Sequence, residues 1–283
     1  MALGGKMLSF TFSQVDVFSS ESLKGNPVAV VHAAQGLSDE QMLSLARWTN
    51  LSETTFLLPP TNARADYKLR IFSPGGELPF AGHPTLGSCF AWLSNGGKAK
   101  SSDSIIQECN VGLISVNKHG SLLEFAAPPL IRTGPLDNDT LNKIIKALSI
   151  SHSDVIEHQW VDNGPGWCAI MLESAEKVLK IEPSWSELAP LNLGIVGPCS
   201  AGQETAIEVR SFVGNGGYED PVTGSLNASL AQWLIHADLI KAPYVAAQGT
   251  KLQREGRIHI RQIDEEIWVG GNVIEVIRGK ITV

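Results

Sequence analysis

Tyr67, Leu69 and Ile71 alternate with Lys68 and Arg70, the two-residue period of a strand with one buried and one wet face. Similar strands are expected at Leu8–Asp16 and, after the Gly25-Asn26-Pro27 turn, at Val28–Val31; both are rich in β-branched residues and bounded by breakers. A further strand is expected from Glu53 to Leu58, ended by Pro59-Pro60. Between these strands the period changes: Met42, Leu45, Ala46 and Thr49 fall on one helical face. Ser38 suits the N-cap of that helix, with Gln41 three residues on and Leu37 placed to staple Met42. A second helix is expected to begin near His83, because Pro84 fits a first turn where its missing N–H has no partner to lose. Leu86, Phe90 and Leu93 would form its apolar face. Strand-like runs at Ile105–Cys109, Leu113–Val116 and Leu122–Phe125 complete the first half, and Pro128-Pro129 marks a linker.

The second half repeats this order. Leu141, Ile144, Ile145 and Leu148 predict a helix with no counterpart in the first half, and Asn163-Gly164-Pro165 precedes a strand at Trp167–Leu172. A helix carrying Leu226, Leu230, Trp233 and Leu234 follows, and the tail from Ile258 to Val283 is strand-like, alternating through Val273, Ile274, Val276 and Ile277. One unusual segment occurs twice. Leu69-Arg70-Ile71-Phe72 leads to Glu77-Leu78-Pro79-Phe80-Ala81-Gly82-His83, and Val209-Arg210-Ser211-Phe212 leads to Glu219-Asp220-Pro221-Val222-Thr223-Gly224-Ser225. The paired arginines lie 140 residues apart and the paired glutamates 142. Strand, turn, Gly and helix written twice suggest a duplicated domain, and such copies can face one another across a cleft.

Composition narrows the partners. A net charge of -7 without a basic run argues against a nucleic-acid groove. Cys89, Cys109, Cys168 and Cys199 show neither close pairing nor metal-ligand spacing, so they read as reduced thiols of a cytoplasmic protein. The Met1–Met7 opening does not read as a signal peptide, and no run of roughly 18 apolar residues for a membrane helix is present. P-loop, GxGxxG, HExxH and CxxC motifs are absent, so no cofactor and no metal is expected.

The chemistry is sought where the two copies differ. At Gly82-His83 and Gly224-Ser225 the chain turns into a helix whose first N–H groups lack intrahelical partners, an arrangement that favours anions. Two such starts suit a small carboxylate-bearing ligand. Beside the second start, Glu219 and Asp220 either complement a helix dipole or take part in catalysis. His83 is either structural or a proton-transfer group. Glu53 lies among Leu51, Phe56, Leu57 and Leu58; in an apolar pocket its pKa would rise and suit it to proton exchange, whereas on an edge strand it would be merely exposed. The other histidines show no ligand spacing.

Gly25-Asn26-Pro27-Val28-Ala29-Val30, Asn50-Leu51-Ser52-Glu53-Thr54, Glu77 to Pro84 and Glu219 to Ser225 together resemble the signature segments of the phenazine biosynthesis PhzF-like isomerase family, in order over nearly the whole chain. The resemblance implies an α+β fold: two pseudo-symmetric diaminopimelate epimerase-like domains, each a curved mixed sheet or barrel around a central helix, with the site between them. The expected domains are 1–128 and 129–283, the last strand being free to return to the first. Racemases of this fold use one cysteine per domain; the matching positions here are Ala81 and Thr223, which disfavours a two-thiol mechanism. By the same resemblance Glu53 is the proton shuttle, His83 and Asp220 are the other catalytic residues, and Ser52, Gly82, Thr223, Gly224 and Ser225 bind substrate.

The resulting expectation is a cofactor-independent isomerase that moves a proton between carbons of a small anionic metabolite. Family habit adds a cytoplasmic homodimer without nucleic-acid or membrane partners. The alternatives are an amino-acid racemase or epimerase lacking the thiol pair, and a catalytically silent small-molecule binding protein.

Overall fold

The computed structural model describes residues 7–102 and 104–283. Residues 1–6, most of the segment considered above as a signal peptide, lie outside the described residues. The chain divides into two compact units, one formed by Met1–Phe125 with Asn272–Val283 and the other by Ala126–Gly271.

The first unit opens with β1 (Ser9–Val17) antiparallel to β2 (Asn26–Val31), then α1 (Asp39–Thr49) and β3 (Thr54–Leu58), which is parallel to β2. Ser38 and Gln41 form the expected capping box, each side chain accepting the other's backbone N–H. Leu37 and Met42 share the hydrophobic cluster beneath α1. β4 (Tyr67–Ser73) pairs antiparallel with β3 and forms a hairpin with β5 (Gly76–Leu78). After α2 (Gly82–Ser94), β6 (Ser104–Cys109) lies parallel to β4 and leads into an antiparallel meander with β7 (Gly112–His119) and β8 (Leu122–Ala126).

α2 is buried more deeply than its apolar spacing suggested. Residues 82–89 and Ala91 are buried, whereas Phe90 and Leu93 of the expected face are only half-buried. The cause is packing: β1, β2, β3, β4 and β6 all contact this helix, leaving it almost no wet face. Gly87 makes the close approach possible, because a Cβ there would stand 2.4 Å from Val28 Cγ1 and 3.0 Å from the Val15 and Val17 methyls. Those valines are fully buried and stiff at χ1. Gly87→Ala should therefore destabilise by about 1–3 kcal/mol, although alanine is the better helix former by about 1 kcal/mol; urea unfolding of the variant checks this.

The second unit begins with α3 (Asn138–Leu148), capped by Asp137, whose carboxylate accepts the Thr140 N–H. β9 (Val155–Trp160) and β10 (Trp167–Leu172) are antiparallel, and the short helices α4 (Ala175–Lys180) and α5 (Trp185–Leu188) lead to β11 (Asn192–Pro198), parallel to β10. β12 (Ile207–Val213) pairs with β11 and with the hairpin strand β13 (Tyr218–Asp220), and α6 (Gly224–His236) follows. β14 (Tyr244–Gln248) runs parallel to β12, and β15 (Gly256–Ile263) and β16 (Glu266–Gly271) extend the sheet antiparallel. Leu141, Ile144, Ile170, Leu193, Ile195 and Phe212 share one core. The chain then re-enters the first unit as β17 (Val273–Thr282), antiparallel to β1 and packed on α2. The strand-like tail resolves into three strands, and residues 273–276 are uniformly half-buried instead of alternating.

β12 also buries a carboxyl. Glu208 is 4% exposed; its Oε2 accepts from Thr250 Oγ1 at 3.0 Å, while Oε1 is buried without a hydrogen-bond partner among the described residues. Burial pushes its pKa up to about 7 from an ordinary 4.5. Between those values the folded protein holds a proton that the unfolded chain releases, so this group's stabilisation is full below pH 4.5 and is lost as pH rises through 7. Glu208→Gln removes the titration. Its stability relative to wild type should rise by up to about 3 kcal/mol between pH 4.5 and 8, read from urea midpoints across that range.

Candidate active site

In the first unit, Asn50 ends α1 in the left-handed conformation (φ 52°, ψ 32°), its N–H bonded to the Ala46 carbonyl. Asparagine tolerates that geometry better than most residues, and the chain can turn sharply there into β3. Ser52 and Glu53 lie on this turn, not in the strand where Glu53 was expected. α2 starts at Gly82 after Ala81, an extended residue with no side chain to cap the helix. His83 therefore sits in the first turn, and its Nε2 lies 3.2 Å from Glu53 Oε2 without the alignment of a hydrogen bond. The two side chains are 6% and 15% exposed, so the Glu53 side chain is not that of an exposed edge-strand residue. Desolvation holds His83 down to about 3. Near pH 7 the imidazole is neutral, and the contact is between a carboxyl group and an uncharged ring.

In the second unit Asp220, 8% exposed, ends β13. Its Oδ2 accepts a 2.5 Å hydrogen bond from Thr223 Oγ1. The residue preceding α6 thus turns its hydroxyl to a carboxylate and does not cap the helix. Gly224 is the first residue of α6, and Ser225 follows with its Oγ accepting from Trp167 Nε1 at 3.1 Å and its carbonyl accepting from Asn163 Nδ2 at 2.9 Å. Both Gly-led helices therefore lack a side-chain cap at the N-terminus, where unpaired N–H groups and the helix dipole favour an anion.

Glu219 is held by an arginine, a partner the sequence reading did not give it. Its carboxylate takes a bidentate fork from Arg210 Nε and Nη2 at 2.9 and 2.8 Å across the β12–β13 hairpin. Arg70 makes the same fork to Glu77 at 2.8 and 2.7 Å. Sequence reading missed Gln248, Asn227, Trp167 and Asn163 as neighbours of the candidate residues. For Gln248 a signal existed, since Gln107 precedes it by 141 residues, matching the spacing of the repeated motifs.

The cysteines are all unpaired, and burial pushes Cys89 and Cys168 up to about 12. Among the described residues no three His, Cys, Asp or Glu side chains converge as metal ligands. No helix there is long and apolar enough to cross a membrane. Open grooves of ≈ 540 Å³ beside Trp48 and ≈ 490 Å³ beside Lys177 include none of the candidate residues.

A strand-rich fold with an acid and a neutral histidine in van der Waals reach defines a candidate proton-transfer protein. The chain belongs to the phenazine biosynthesis-like protein family, whose model matches residues 15–279. It is 35% identical over 222 residues to a trans-2,3-dihydro-3-hydroxyanthranilate isomerase of Pseudomonas chlororaphis, covering 77% of each chain. It is also 35% identical over 301 residues to antisense-enhancing sequence 1 of Schizosaccharomyces pombe, covering 97% of this chain and 99% of that one. A PhzF-family crystal structure from Enterococcus faecalis superposes with a TM-score of 0.81 at 25% identity, over 97% of this chain and 99% of the other. A hydroxyproline epimerase from Agrobacterium vitis, with a TM-score of 0.61, 10% identity and coverage of 97% and 93%, shares the fold alone. Family membership makes this chain an isomerase with a mixed α/β fold of the kind found in PhzF proteins and epimerases.

Proposed function

We propose that the protein is a cofactor-independent isomerase that moves a proton between carbons of a small carboxylate-bearing metabolite, with Glu53 as the group that carries the proton. The Glu53–His83 contact is the observation that supports this reading best. A protonated histidine at 3.2 Å would stabilise the carboxylate and weaken it as a base. His83 is held neutral by burial, so Glu53 faces no such penalty, and the ring can still give or take a hydrogen bond as the carboxyl changes state.

In the proposed reaction the Glu53 carboxylate takes a proton from a substrate C–H, leaving the electron pair delocalised toward the substrate's own acceptor. The protonated carboxyl exchanges with solvent, delivers a proton to a different carbon and is regenerated, so atoms and charge balance without an oxidant. The uncapped first turns at Gly82 and Gly224 are proposed to hold the anionic group, with Ser52 and Ser225 as polar contacts. Asp220 is proposed to orient the substrate, and Thr223 to act through Asp220.

We also read the two units as copies of one domain. Each has an arginine–glutamate fork on a hairpin, then a Gly-led helix, then a strand ending near a buried glutamine bonded to the helix's first turns.

The test is proton NMR in deuterated buffer with trans-2,3-dihydro-3-hydroxyanthranilate and a panel of small cyclic and amino-acid-like carboxylates. An isomerase of this kind converts at least one of them with deuterium appearing on carbon. Ligand-induced stabilisation without exchange on any compound would favour a binding protein instead.

A further inference from the structure

Gln248 ends β14 fully buried, and its amide uses both ends. Nε2 donates to the Asp220 carbonyl at 3.1 Å and to Thr223 Oγ1 at 3.0 Å; Oε1 accepts from the Thr223 N–H at 3.0 Å and from Asn227 Nδ2 at 2.7 Å. Asn227 also donates to the Thr223 carbonyl at 2.9 Å. One side chain thus ties the end of β13 to the first turn of α6.

The direction of these bonds has a chemical consequence. An amide N–H can only donate, so Thr223 Oγ1 accepts from Gln248, and its one proton is directed to Asp220 Oδ2. The hydroxyl is polarised by the bond it receives and becomes a stronger donor to the carboxylate. The first unit has a glutamine in the matching place. Gln107 Nε2 donates to Thr85 Oγ1 at 3.0 Å in the first turn of α2, and Gln107 Oε1 accepts from Tyr67 at 3.1 Å. That unit has Leu78 where the second has Asp220, and Ala81 where the second has Thr223. The glutamine-to-helix tie is therefore common to both units, whereas the hydroxyl-to-carboxylate extension belongs to the second alone.

We propose that Gln248 is a positioning residue which, through Thr223, fixes the Asp220 carboxylate in one orientation and supports its charged form. The functional meaning of this role rests on the isomerase reading, in which Asp220 orients the substrate. The hydrogen-bond relay itself does not depend on that reading.

The experiment is a ¹³C-carboxyl NMR titration of Asp220 in aspartate-labelled protein, assigned with Asp220→Asn, in wild type, Gln248→Met, Thr223→Val and the double variant. Melting curves are recorded in parallel. Neither Gln248→Met nor Thr223→Val changes a charge. Loss of the hydroxyl donor to the carboxylate should raise the Asp220 midpoint by about one pH unit in Thr223→Val, and loss of the bond that polarises that hydroxyl should raise it by a smaller amount in Gln248→Met. The double variant should move it no further than Thr223→Val alone, because the glutamine acts through the threonine. A purely structural glutamine would lower the melting temperature and leave the midpoint in place, which overturns the proposal. If Gln248→Met does not fold, Thr223→Val decides: an unmoved midpoint there also overturns it. The isomerase reading fails on a different result, the absence of carbon–deuterium exchange with every compound of the carboxylate panel, so the two failures are distinguishable.

Discussion

Arg210→Met is expected to lower stability by about 3–5 kcal/mol, because it strands a buried carboxylate. Arg210 and Glu219 are 2% and 7% exposed, and the fork between them is complete. The guanidinium also donates Nη1 to the Val178 and Ile181 carbonyls at 3.1 and 2.6 Å at the end of α4, where Val178 also accepts the Ile181 N–H. Removing it strands the Glu219 carboxylate and takes this donor from the Ile181 carbonyl, while Val178 keeps the Ile181 N–H. The control is in the same chain: Arg70 and Glu77 are 19% and 26% exposed, and Arg70 also reaches an exposed Asp39. Water can replace those bonds, so Arg70→Met should cost about 1 kcal/mol or less. Equilibrium urea unfolding of the two variants measures the contrast. Equal losses would mean that burial does not govern the energetics of the two forks. Arg210→Met with Glu219→Leu should recover part of the loss, since it removes the stranded charge as well.

These forks also illustrate what could be read from the chain. The two arginines and two glutamates stand out in the sequence as repeated positions, whereas their pairing across a hairpin does not. Their difference in burial does not stand out. It depends on what packs above each hairpin, and α4, whose carbonyls Arg210 bonds, was not anticipated from its six residues. The capping box at Ser38 and Gln41 was legible from local sequence, and so were the starts of α2 and α6 at glycine. β11 and β14 were not singled out: each is a short run with a parallel partner distant in sequence, so no turn announces that pairing; β9 was missed although it pairs antiparallel with the neighbouring β10. The candidate site divides in the same way. Glu53 and His83 were each chosen from local context, but their contact joins a turn after α1 to the start of α2, thirty residues later. The apolar setting expected for Glu53 gave no hint of a neutral histidine beside it. Gln248 carried only its spacing from Gln107 as a signal, and that spacing acquires meaning only when the helix the glutamine ties is in place.

Glu53→Gln is expected to leave the fold and substrate binding intact and to slow the chemical step by about 10²- to 10⁴-fold, the usual contribution of a positioned acid–base group. Glutamine keeps the size and can still meet His83, but it cannot accept a proton from carbon. The loss should fall on kcat with little change in KM, because the group acts in the transition state more than in binding. His83→Asn should be milder, since it removes a neighbour of the base and leaves the base itself. A large rise in KM for Glu53→Gln with kcat unchanged would place Glu53 among the binding groups.

The most direct measurement compares wild type and Glu53→Gln under single-turnover conditions in deuterated buffer, using a substrate found in the carboxylate panel and following deuterium at the newly protonated carbon. Wild type should give labelled isomer, while the variant binds the same compound and forms neither isomer nor label at a comparable rate. Isomer formed by Glu53→Gln at the wild-type rate, labelled or not, would contradict the assignment of the proton transfer to Glu53.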